Sequence, residues 1–205
     1  PATVFLSVGG SLIEETHKVL ETLTRRGNEV VLNYGIQNYP TALAHSNLAK
    51  IRLLVLHFGL PVCYADHLAG DHPMAIELPC LAVAAGATVI EKHFILERKK
   101  EHYDYYSAIE PQQFRAMVDR LRDVETCLGL SSLDLDQAEL EYRNKHKKCP
   151  VLKDALPAGH RLTVGDVLLK RANQPKDFLA LEEVVGRSLA VAVPANVPLR
   201  KEHLK

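Results

Sequence analysis

Tryptophan is absent from this 205-residue sequence, methionine occurs twice, and neither sign of charge predominates: 25 lysines and arginines balance 25 aspartates and glutamates. That balance leaves no electrostatic footprint for nucleic acid or an anionic membrane, so neither is expected as a partner. The four cysteines, Cys63, Cys80, Cys127 and Cys149, show neither CxxC spacing nor a dense framework. They read as reduced thiols in a cytoplasmic protein. The longest apolar stretch, around residues 78–90, is broken by Pro79 and Gly86 and is too short to span a bilayer. The opening residues carry no signal pattern, and Pro1 runs almost directly into a strand-like segment, as at a cut. No GxGxxG or GxxxxGK(S/T) follows any predicted strand, which removes the phosphate-cradling backbone of dinucleotide and P-loop proteins.

What is present is a regular alternation. Residues 3–7 (TVFLS) form a short β-branched and apolar run ended by Val8-Gly9-Gly10. Ser11 and Glu14 have the spacing of a capping box before an amphipathic helix over 12–26, which Gly27 stops. Strand-like runs follow at 29–34, 61–65 and 87–93, and helical periods at 41–58, 74–85 and 111–128, the last with Pro at its first position. Four βα units imply parallel strands covered by helices. Composition leaves two readings open, half of a barrel of eight or one small open sheet. Residues 131–148 are a charge-rich connector with a helix-like piece at 137–143. From Cys149 the texture changes to short β-like runs with an internal echo: Ala155-Leu156-Pro157-Ala158-Gly159 before Leu162, and Ala192-Val193-Pro194-Ala195-Asn196 before Leu199.

In parallel α/β architectures chemistry collects where strands end. His67 follows the third strand and His93 closes the fourth, so the two imidazoles can face one cavity and share a divalent metal; two hydrogen-bonded histidines without a ligand fit equally. Glu91 lies two residues before His93, on the same strand face, while Lys92 points the other way. An acid/base carboxylate beside a metal suits that place, and so does a salt bridge inside a barrel. The loop after His93, with Arg98, Lys99, Lys100, Glu101, His102, Tyr103, Asp104, Tyr105 and Tyr106, suits the gripping of sugar hydroxyls. Ser7 ends the first strand, and Asn33, Tyr34, Gln37, Asn38 and Tyr39 follow the second, as donors for a phosphate or carboxylate or as an ordinary turn.

The run Val89-Ile90-Glu91-Lys92-His93-Phe94, with Tyr64-Ala65-Asp66-His67 before it and Ser107-Ala108-Ile109-Glu110-Pro111 after it, resembles the signature of sialic acid synthases. The strand-end Ser7, the Tyr39-Pro40 turn and the antifreeze-like (SAF) texture of residues 149–204 extend the resemblance over essentially the whole chain. It implies the second half of a (β/α)8 TIM barrel over residues 1–130, a linker over 131–148 and a SAF domain over 149–205. It also implies condensation of phosphoenolpyruvate with an N-acylated amino sugar in its open aldehyde form, with release of phosphate. The metal would be Mn2+, with Mg2+ or Co2+ as alternatives, held by His67 and His93. Glu91 would be the acid/base carboxylate. Ser7 would bind phosphoenolpyruvate, and Gln37, Tyr39 and Asp104 the substrates. Arg171 would reach the sugar's acyl-amino group from the other subunit of a domain-swapped homodimer. Three positions depart from the family pattern: Ala65 replaces a serine, Glu101-His102-Tyr103 replaces Pro-Gly-Pro, and Gln37 replaces a smaller polar residue. Four further βα units, with phosphate-binding lysines, are expected before Pro1, so this stretch alone is not expected to turn over substrate. The alternative reading is a non-catalytic scaffold of the same descent, for sugar binding or oligomerisation.

Overall fold

The computed structural model describes residues 1–99, 103–171 and 179–205, and the chain divides into two compact units, Pro1–Ser131 and Ser132–Lys205. The first is built on β1 (Thr3–Ser7), β2 (Glu29–Tyr34), β3 (Val62–Asp66) and β4 (Val89–Lys92), all parallel and adjacent in chain order. Helices α1 (Ile13–Arg25), α2 (Ala49–Phe58) and α3 (Leu78–Ala84) make the crossovers, and α4 (Pro111–Leu128) follows β4.

Strand alternation divides the sheet into two unlike faces. Val30, Leu32, Tyr34, Val62 and Tyr64 form one buried cluster with Leu20 of α1, Ile51 of α2 and Leu78 and Ala82 of α3. All three crossover helices therefore cover the same face. A doubly wound sheet would put helices on both faces and reverse its strand order at a switch point. Four strands in sequence with one helical face are an arc of a barrel, which settles the choice that composition left open. The other face carries Ser7, Asn33, Cys63, Ala65, Glu91 and, just past the strand ends, His67 and His93.

Several boundaries differ from those expected. Helix α2 begins at Ala49, not at 41, because Asn47 has φ +50° and Thr41 is tied down outside any helix. The Thr41 N–H donates to the His67 carbonyl (2.8 Å), and its hydroxyl to the carbonyls of Ile36 and Asn38. Helix α3 is shorter than the apolar run because Pro79 has no N–H to give and so belongs in a first turn. At α1 the cap is one residue later than the Ser11–Glu14 spacing suggests: the Glu15 carboxylate accepts the Leu12 N–H at 2.8 Å.

The strand ends approach one another unusually closely. A β-carbon on Gly9 would overlap the Gly35 carbonyl oxygen, and one on Gly35 would overlap the carbonyl oxygen of Ala65. Small residues there let β1, β2 and β3 converge immediately before His67.

The second unit opens with α5 (Gln137–His146), capped by Asp136, whose side chain accepts the Glu139 N–H at 2.8 Å. β5 (Lys148–Leu152) pairs antiparallel with β6 (Val167–Arg171), and the four-residue α6 (Leu181–Val184) closes onto a core of Leu152, Leu162, Val184, Leu189 and Leu199. The sequence echo is structural. Leu156 and Val193 exchange backbone hydrogen bonds, Gly159 and Asn196 take matching left-handed conformations (φ +86° and +62°), and Leu162 and Leu199 are both buried.

Gly35→Ala is expected to lower stability by about 1–3 kcal/mol through overpacking at the strand ends. Urea unfolding would detect it; an unchanged midpoint would show that the strands do not need their close approach.

Candidate active site

The two histidines emerge from paired strands. Ala65 lies opposite Glu91, and Asp66 opposite Lys92, so His67 and His93 leave neighbouring strand ends at the same height. Their ring centroids are 5.1 Å apart. The ring of Tyr39 stands edge-on to both, at 5.0 Å from His67 and 5.8 Å from His93. Asp104, in a left-handed conformation (φ +57°), brings Oδ2 to 3.6 Å from His93 Nδ1. One cluster thus gathers four of the residues singled out in the sequence.

Glu91 joins it from the same strand face. Its Oε2 accepts the side-chain amide of Asn33 at 2.9 Å, and the Glu91 carboxylate, with that of Asp104, adds to burial in raising the Tyr39 phenol above its ordinary value. Among the described residues the partner of the Glu91 carboxylate is this amide. Cys63, also on this face, is pushed up to about 11 by burial and then by the Glu91 carboxylate, which keeps it a neutral thiol.

The remaining assignments separate. Ser7 is exposed at the end of β1, in register with Asn33. Gln37 lines a different cleft of about 810 Å3 with Ser11, Lys50, Leu53 and His57, whose walls include neither histidine, nor Glu91 or Tyr39. Arg171 stands exposed at the end of β6, in the second unit. In the loop after β4, Tyr105 and Tyr106 stack at 3.9 Å, and Arg98 is fixed by Asp71 (2.8 Å) and, through its N–H, by Glu110 (2.9 Å). Lys100, Glu101 and His102 of that loop lie outside the described residues.

Two buried features escaped the sequence reading. Ser107 is fully buried and its hydroxyl donates to the His67 carbonyl at 2.8 Å. Asp66 and Lys92 form an ion pair of 2.6 Å on the helix-covered face. The signal was there: a charged residue directly before each histidine, on the side where alternation puts apolar side chains.

The donor set suits a divalent ion. His67 Nδ1 is buried and has no hydrogen-bond partner among the described residues, an acceptor or donor left over at the centre of the cluster. Two imidazoles are favourable ligands for first-row divalent metals. Among the described residues no group of three His, Cys, Asp or Glu side chains is arranged to hold an ion. The histidines would therefore supply two ligands and leave the other positions to water or substrate oxygen.

Comparison with known proteins agrees with this architecture. Residues 1–132 match the model of the NeuB family and residues 150–205 that of the SAF domain. The chain belongs to the NeuB family, as the second half of its barrel followed by a SAF domain. It is 29% identical to the N,N'-diacetyllegionaminic acid synthase of Legionella pneumophila, over 98% of this chain and 57% of that protein. The N-acetylneuraminic acid (sialic acid) synthetase of Leptospira borgpetersenii superposes with a TM-score of 0.63 at 30% identity, over 69% of this chain and 49% of its own. A Bacillus subtilis spore coat polysaccharide biosynthesis protein, spsE, shares the fold over 97% of this chain and 60% of its own, with a TM-score of 0.55 at 24% identity. The chain spans little more than half the length of the curated relatives it matches.

Burial, and then the positive charge of His93, hold the His67 imidazolium below its ordinary value of 6.5. As pH falls, the unfolded chain takes up this proton first. The resulting stability is full above the unfolded value and is lost progressively below it, until the folded ring also protonates. His67→Gln is expected to flatten the decline of unfolding free energy between about pH 7 and 5, the window of histidine titration. An unchanged slope would mean that the ring is not held neutral by its surroundings.

Proposed function

We propose that this chain is the C-terminal portion of a synthase that joins phosphoenolpyruvate to the open aldehyde of an N-acylated amino sugar, giving a nonulosonic acid and phosphate. The observation that carries this reading is the convergence of His67, His93 and Tyr39 at the mouth of β3 and β4, with Glu91 on the same face. The names of its relatives, legionaminic acid synthase and sialic acid synthetase, support the same class.

His67 and His93 would hold a divalent ion, Mn2+ in the first place, which would supply Lewis-acid polarisation at the aldehyde oxygen. Glu91 is the acid/base group. The new bond joins C3 of phosphoenolpyruvate to the aldehyde carbon, whose oxygen gains a proton. Water adding at C2 gives up one proton; the C2–O bond to phosphate then breaks as the new C2 hydroxyl becomes the ketone, and its proton leaves with the phosphate. A carboxylate held by the Asn33 amide serves both transfers without reorienting. Asp104 and Tyr39, beside His93, hold sugar hydroxyls, and Ser7, at the end of β1, binds phosphoenolpyruvate.

Arg171 takes the N-acyl group across a domain-swapped homodimer, as the resemblance implies. The working compartment is the cytoplasm, a reading supported by the four free cysteines, of which Cys63, Cys80 and Cys149 are buried. No helix among the described residues is long and apolar enough to cross a membrane.

In the full-length protein, phosphate release from phosphoenolpyruvate is expected to require both Mn2+ and an N-acyl hexosamine. Glu91→Gln should reduce kcat by about 10²–10⁴-fold while Mn2+ still binds. His67→Ala should abolish stoichiometric Mn2+ binding, measured by calorimetry. Sugar binding with neither Mn2+ uptake nor turnover would return the scaffold reading.

A further inference from the structure

Asp66 and Lys92 each stand one residue before a histidine of the cluster, on the opposite face of the sheet. Lys92 Nζ lies 2.6 Å from Asp66 Oδ2, and each side chain retains only 1% of its exposure. Asp66 Oδ1 accepts the N–H of Leu68 at 2.9 Å, closing a turn around His67, and Lys92 Nζ also reaches the Leu68 carbonyl at 3.5 Å. From the other side the His67 carbonyl receives the Thr41 N–H and the Ser107 hydroxyl, both at 2.8 Å. The backbone that carries His67 is thus fixed from several directions, while its ring nitrogen Nδ1 has no hydrogen-bond partner among the described residues.

Two charges withdrawn from water are poor evidence for stability, since an apolar pair of similar volume often holds a fold as well. An apolar pair does not, however, set a direction or a length. The ammonium of β4 bonded to the carboxylate of β3 ties the two strands at the last residue before each imidazole. We propose that the Asp66–Lys92 pair is a positioning device that sets the separation of His67 and His93 and thereby the affinity of the divalent-cation site. This inference rests on the metal reading of the histidines given above. Neither residue touches the ion or the substrate; both act through the backbone.

The experiment uses the full-length protein and Mn2+ alone, with binding followed by calorimetry and folding by thermal unfolding. The double variant Asp66→Asn with Lys92→Met removes both charges and keeps an acceptor for the Leu68 N–H. It is expected to unfold cooperatively and to bind Mn2+ about 10–100-fold more weakly, the scale at which outer-shell supports act on metal sites. Asp66→Asn alone, which removes only the carboxylate charge, is the second variant and should weaken binding in the same direction. A folded variant of either kind that binds Mn2+ as tightly as the unsubstituted protein overturns the inference. So does failure of both variants to fold, which would make the pair a stability element. Absence of Mn2+ binding by the unsubstituted protein would overturn the metal reading itself, and this inference with it.

Discussion

A lysine and an aspartate face each other behind the sheet, 2.6 Å apart and out of reach of water, at the strand ends on which the candidate site is built. Charges are left in such a place only where their partners satisfy them fully. Here the carboxylate is met by an ammonium at one oxygen and a backbone N–H at the other. Because the two residues sit in register on neighbouring parallel strands, the contact joins the strand ends from which both imidazoles project. Glu91 reaches the same mouth from β4 itself, while Tyr39 and Asp104 come to the histidines from the loops after β2 and β4.

The unlike faces of the sheet explain how a small βα domain reconciles packing with chemistry. One face is closed by three helices and holds nearly all the apolar mass. The other is short of apolar side chains at its upper edge and accommodates Ser7, Asn33 and Glu91 in the open. Glycine and alanine at the converging strand ends keep this edge compact. The second unit has its own core and an approximate internal duplication, in which glycine and asparagine serve the same left-handed turn.

Much of this was legible in the residues. The β-branched runs at 3–7 and 29–34 and the proline-led helix at 111–128 have the bounds observed, because nothing competes with local preference there. The apolar period through 41–48 was misleading: a threonine bonded to three carbonyls and a left-handed asparagine hold that stretch outside the helix. For the candidate site, alternation alone placed Glu91 with His93 and Lys92 opposite them. The amide partner of Glu91 was not legible, since Asn33 is 58 residues away and meets it only through the order of strands. Nor was the path of the loop that returns Ser107 and Asp104 to the two histidines.

The strict two-residue period of β4 also bears on how such a protein can diversify. Inserting or deleting one residue inside that strand would exchange the faces of Glu91 and Lys92, spoiling the histidine-lined mouth and the internal ion pair in a single event. Lineages descending from this sequence are therefore barred from length variation in the strand. Residues 95–99 and 103–106 lie outside that register, so a change of length there would leave the faces of Glu91 and Lys92 as they are. Variation by insertion, deletion and exchange would be expected to arise there, with the strand ends carried forward unchanged.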